Sequence, residues 1–188
     1  MQYSAPVASG TGQGSAPIAT GGVTRVALIG FMGAGKSSVG MALAVALRWR
    51  FVDLDRAIEQ EQGRTIREIF AAAGESGFRA AESAALHRLT GAEQTVLAVG
   101  GGAPVQPANR AFFRDWMTFY LAAPLAELRE RAGRPGARPL MDLPPAQLRA
   151  LYQRREPIYQ SLGIRIHTTR KPVGAIAAAI LERLRHPT

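Results

Sequence analysis

This chain of 188 residues predicts an α/β fold: a five-stranded parallel sheet carrying helices on both faces. Short apolar runs alternate with segments of helical periodicity, which is the pattern of consecutive βαβ units. The first run opens into a glycine-rich turn that leads into a helix, and glycines or acidic residues end two of the other runs. In a parallel sheet of this kind ligands collect above the carboxyl ends of the strands, where those residues stand.

Residues 1–23 are Ser, Ala, Gly, Pro and Thr without periodicity and read as a disordered tail ahead of a single domain at 24–188. Strands are expected at Val26–Ile29, Phe51–Leu54, Val96–Val99, Met117–Leu121 and Ile164–His167. Helices are expected at Lys36–Leu47, Ala57–Gln62, Ile66–Ala73, Glu75–Leu89, Pro107–Asp115, Leu125–Arg131, Pro145–Tyr159 and Val173–Leu184. Thr65-Ile66-Arg67-Glu68 has the spelling of a capping box, Gly74 reads as a helix stop, and Pro145 and Pro172 stand near helix starts.

Composition narrows the chemistry. With 47% hydrophobic residues the chain can bury a core, and with no cysteine it has no disulfide scaffold, thiol nucleophile or thiolate metal site. No apolar run approaches a membrane span and no basic segment precedes an apolar stretch at the N-terminus, so a cytoplasmic protein is expected. The net charge of +9 comes from 23 Lys and Arg against 14 Asp and Glu, and Lys36 and Lys171 are the only lysines. Basic blocks interleaved with aromatics are missing, so acidic small molecules explain the charge more economically than nucleic acid.

Gly30-Phe31-Met32-Gly33-Ala34-Gly35-Lys36-Ser37 fits G-x-x-x-x-G-K-[ST] between a strand and a helix, the context of a nucleotide-binding P-loop. Glycines let backbone N–H groups of the loop approach phosphate oxygens, and the helix behind them presents its positive end. Lys36 is then placed to reach the β- and γ-phosphates and Ser37 to meet Mg²⁺. In Phe51-Val52-Asp53-Leu54-Asp55 the period of a strand puts both carboxylates on one side, one for the metal and one for a substrate hydroxyl; the plainer alternative is that Asp55 caps the next helix. Gly100-Gly101-Gly102-Ala103 leaves bare backbone at a strand end, where a ligand can take hydrogen bonds from N–H groups. Arg79, with Glu82 three residues on, and Arg155 offer planar forks that match a carboxylate. Gly133 through Leu140 carries Arg134 and Arg138 among glycines and prolines and reads as a mobile lid at about 132–143.

Taken together, in this order, these segments resemble the shikimate kinase family over roughly Arg25 to the C-terminus. The resemblance implies a three-layer P-loop kinase fold and transfer of the ATP γ-phosphoryl group to the 3-hydroxyl of shikimate, with ATP as co-substrate and Mg²⁺ as cofactor. It also implies a monomer that binds neither nucleic acid nor membrane. Gly33, Ala34, Gly35, Lys36, Ser37 and Ser38 correspond to the ATP loop, and Ser37 and Asp53 to the Mg²⁺ ligands. Asp55, Arg79, Gly101, Gly102 and Arg155 match the shikimate grip, with Glu82 orienting the arginines. Asp55, Lys36 and Arg138 fall in catalytic positions, Arg138 on the lid. Arg131 resembles a nucleotide-phosphate contact, and Arg170, in Thr169-Arg170-Lys171-Pro172, resembles a residue stacked on the base. A gluconate kinase and a non-catalytic ATP-binding module are the rival readings.

Overall fold

The computed structural model describes residues 18–133 and 143–186. Chain order runs β1 (Arg25–Ile29), α1 (Lys36–Leu47), β2 (Arg50–Asp53), α2 (Leu54–Gln62), α3 (Ile66–His87), β3 (Thr95–Ala98), then short 3₁₀ turns at Ala103–Val105, Pro107–Asn109 and Phe112–Asp115. It continues through β4 (Met117–Ala122), α4 (Leu125–Ala132), α5 (Pro145–Leu162), β5 (Ile164–His167) and α6 (Val173–Arg185).

All five strands are parallel, in the order β2-β3-β1-β4-β5. Every residue of β3 is buried, as are Val26, Ala27, Leu28 and Ile29 of β1, so the sheet is covered on both faces. These strands are accordingly continuous apolar runs rather than alternating ones. β1 pairs with β3 on one side and β4 on the other, and the crossover direction reverses there. That reversal opens a crevice at the carboxyl ends, directly beneath the loop between β1 and α1.

Several local expectations are refined. Thr65 does cap α3 through a reciprocal box: its hydroxyl accepts from Glu68 N–H at 3.3 Å, and Glu68 accepts from Thr65 N–H at 2.7 Å. Gly74 ends the first helical stretch of α3 as expected, with φ 66° and ψ −172°, and a second stretch runs on from that kink to His87. The helix expected at Pro107–Asp115 is instead a string of 3₁₀ turns, with Pro107 opening the second of them. Leu54, expected to close β2, begins α2.

Of the expected tail, residues 1–17 lie outside the described residues, while Ile18 and Val23 pack against the core and belong to the folded body. Most of the expected lid, including Arg138, lies outside the described residues as well. Among the described residues no helix is long and apolar enough to cross a membrane.

Candidate active site

The phosphate loop is built by close packing on α4. Gly33 has φ +74°, and a Cβ there would stand 2.1 Å from the Leu128 carbonyl oxygen, so only glycine fits. Gly35, also left-handed, is the N-cap of α1 and supplies no side-chain cap, and no acidic residue occupies the first turn. The leading N–H groups and the positive end of that helix are therefore not offset by a side-chain acceptor, which suits a bound anion. Lys36 folds its Nζ over the loop, donating to the carbonyls of Gly30 at 2.9 Å and Phe31 at 3.1 Å.

Across β3, the carboxylate of Asp53 accepts the Ser37 hydroxyl at 2.6 Å and caps α2 through the N–H of Arg56 at 3.4 Å. The strand stops at Asp53, so period-two geometry does not align Asp55 with it; the first turn of α2 does that instead. The cap that the plainer alternative assigned to Asp55 is made by Asp53. Asp55 turns onto the bare backbone of Gly100, where a Cβ would lie 2.8 Å from its Oδ1.

Two cavities meet there. One, of about 580 Å³, runs along Gly33 to Ser38, Asp53, Arg131, Lys171, Val173 and Ile176. The other, of about 630 Å³, is walled by Phe70, Phe78, Arg79, Glu82, Gly101, Gly102 and Arg155, with Leu143 and Leu151 on its far side. Asp55 and Gly100 belong to both walls.

The second cavity is built to receive an acid. Arg79 holds Glu82 at 2.8 Å and Glu75 at 3.2 Å, and its guanidinium lies beside Gly102, where a Cβ would collide with it at 2.0 Å. Glu82 is only 1% exposed and Arg155 8%. Burial pushes the Glu82 carboxyl up to about 7; Arg79 pulls it back, the Asp55 charge adds to the rise, and Arg155 lowers it. Arg79 is paired with Glu82 and Glu75, and Arg155 stands across the same partly apolar space beside Gly101. An incoming carboxylate can take charge-assisted hydrogen bonds from the Arg155 fork.

At the rim of the first cavity, Arg131 donates to the Thr168 hydroxyl at 3.1 Å and carbonyl at 2.8 Å, and pairs with Glu127. The same Glu127 Oε1 accepts the backbone N–H of Arg170 at 2.8 Å, so one carboxylate ties the end of α4 to the loop before α6. Arg170 adopts a left-handed backbone (φ 52°) and is exposed, and the cavity wall at this loop is formed by its neighbour Lys171. Arg56, Lys171, Val173 and Ile176 of the first cavity, and Glu59, Phe70, Glu75 and Phe78 of the second, were not singled out from sequence. For Val173 and Ile176 the helical i, i+3 spacing was the available signal.

The family model described as Shikimate kinase matches residues 32–185. A curated shikimate kinase of Persephonella marina is 38% identical over 162 residues, 86% of this chain and 99% of that protein. A solved shikimate kinase from Acinetobacter baumannii, in complex with shikimate, superposes with a TM-score of 0.82 at 37% identity, over 86% of this chain and 92% of that one. A gluconokinase from Sinorhizobium meliloti shares the fold alone, at a TM-score of 0.52 and 18% identity over 90% of this chain and 95% of that one. Matched over most of its length by the family model and by a close relative, the chain belongs to the shikimate kinase family.

Proposed function

We propose that this chain phosphorylates the 3-hydroxyl of shikimate with ATP, giving shikimate 3-phosphate and ADP. The observation that carries the reading is the junction of the two cavities at Asp55 and Gly100, which lets a phosphate chain in one and an alcohol in the other approach the same carboxylate. In the reaction a bond forms between the substrate oxygen and the γ-phosphorus, the bond from that phosphorus to its bridging oxygen breaks, and the electron pair leaves with ADP. The hydroxyl proton passes to Asp55 or to solvent.

Little covalent work falls to the protein, so alignment and charge placement supply the rate. The N–H groups from Gly33 to Ser38 cradle the phosphates, and Lys36 exchanges its two carbonyl partners for phosphate oxygens. Arg79, Arg155 and the backbone of Gly101 and Gly102 orient the acid so that its hydroxyl meets Asp55. Arg131 steadies the nucleotide side, and the lid arginine, Arg138, and the base-side Arg170 complete the grip.

Ser37 and Asp53 fit a hard divalent cation, since a hydroxyl and a carboxylate already in contact offer two oxygens beside the phosphate loop. No cluster of three or more His, Cys, Asp or Glu among the described residues is arranged to hold a metal, which agrees with an ion that keeps its waters and takes the rest of its shell from the nucleotide. Mg²⁺, when bound, supplies charge neutralisation on the phosphate oxygens. Chelation with EDTA should abolish turnover, with restoration by added Mg²⁺.

The deciding experiment is ADP release from Mg·ATP with shikimate, with gluconate and with neither. Release dependent on shikimate alone is expected. Release dependent on gluconate, or tight ATP binding without transfer to any alcohol, would reject the assignment.

A further inference from the structure

The buried phenol of Tyr159 touches both halves of the acid-binding wall. Tyr159 is completely buried within α5, yet its hydroxyl donates to the Gly101 carbonyl across 2.5 Å, a contact between residues 58 apart in sequence. Arg155 sits one helical turn earlier on the same face. An atom built onto the Gly101 α-carbon would lie 3.2 Å from the phenol oxygen and 3.7 Å from Arg155 Nη1, so the three groups share one small volume. The ring leans on Tyr120 of β4 with centroids 5.4 Å apart, which fixes it independently of the site. Burial pushes the phenol up to about 12 against the pull of Arg155, so it stays protonated and remains a donor throughout the neutral range.

The peptide plane supplies the consequence. In a trans peptide the N–H of the next residue points opposite to the carbonyl, so anchoring the Gly101 carbonyl on the core side directs the Gly102 N–H the other way, toward the cavity. A glycine run has no side chains to hold its peptide planes, and without an anchor the 101–102 peptide can rotate.

We propose that Tyr159 is a positioning residue for the acidic substrate, fixing the 101–102 peptide and the Arg155 fork as one unit. This rests on the shikimate kinase reading above. No such role falls on Tyr120, whose buried hydroxyl faces Tyr152 instead.

Tyr159→Phe keeps the ring and its packing and removes only the donor. Initial rates and calorimetric binding should show the KM and Kd for shikimate raised about tenfold, with kcat and the KM for ATP within twofold of the parent. Tyr120→Phe, which removes an equally buried hydroxyl outside the site, should leave both KM values unchanged and serves as the measure of general loosening. A rise of equal size for both substrates, the same rise in Tyr120→Phe, or a shikimate KM within twofold of the parent each overturns the role. Should Tyr159→Phe fail to fold, the role is overturned as well, because the phenol would then be serving the core. Absence of shikimate turnover in the parent enzyme would instead defeat the underlying reading, and the role with it.

Discussion

At the scale of single residues, Asp55 has the most exposed assignment, since it alone among the carboxylates stands in both cavity walls. Asp55→Asn keeps the shape and removes the negative charge that receives the hydroxyl. ATP binding measured by calorimetry should stay within about twofold, while kcat falls by roughly 10² to 10⁴; a kcat near that of the parent would take Asp55 out of the reaction. The pair Asp53 and Asp55 also marks where strand periodicity predicted the wrong local geometry. Phe-Val-Asp-Leu-Asp looks like strand alternation, but the Asp53 side chain stops the strand by capping α2, a competition that side-chain acceptors at helix starts commonly win. Glu82 gives a second prediction. Its carboxyl is raised from 4.5 to about 7, so the folded protein holds that proton more tightly than the unfolded chain does. The associated stability, on the order of 3 kcal/mol, is complete below the unfolded value and is lost as pH rises through about 7. Thermal midpoints measured between pH 5 and 8 should therefore decline in the parent and flatten in Glu82→Gln; equal slopes would exclude Glu82 as the source.

At the scale of elements, α3 does the positioning, because its bend at Gly74 aims Glu75, Arg79 and Glu82 into the cavity from a helix whose first turns pack on α2. A φ of 66° with ψ of −172° belongs to a region open almost only to glycine. Gly74→Ala should lower the unfolding free energy by about 1 to 3 kcal/mol in denaturant titration. An unchanged value would mean that the helix runs straight at no cost and that the bend is incidental. The two helical periods flanking Gly74 were readable in sequence, since each has its own apolar spacing. The stop between them was readable too; the angle at which the second stretch leaves the first was not, because tertiary contacts set it. The 3₁₀ turns after β3 were misread because their i, i+3 spacing of apolar residues fits an α-helical template equally well over so short a segment. Tyr159 carried no signal at all, since its partner lies 58 positions away and is a backbone carbonyl.

At the scale of the whole molecule, the strand order decides how the two substrates meet. β3 lies between β1 and β2, so the phosphate loop after β1, the glycines after β3 and the carboxylates after β2 come side by side along one edge of the sheet. Alternation of strands and helices predicted a parallel sheet, whereas no local feature says that the third strand inserts between the first two; that follows from how the crossovers pack. The outcome is a pair of chambers with a common wall at Asp55 and Gly100, and neither blocks the other. Both substrates can therefore be resident together, and direct transfer needs no covalent phosphoenzyme. Steady-state rates measured while ATP is varied at several fixed shikimate concentrations should give double-reciprocal lines that intersect, the pattern of a ternary complex. Parallel lines, or ³²P remaining on the protein after incubation with γ-labelled ATP alone, would mean that the phosphoryl group stops on a side chain, and the shared wall would then have lost its meaning as the place of transfer.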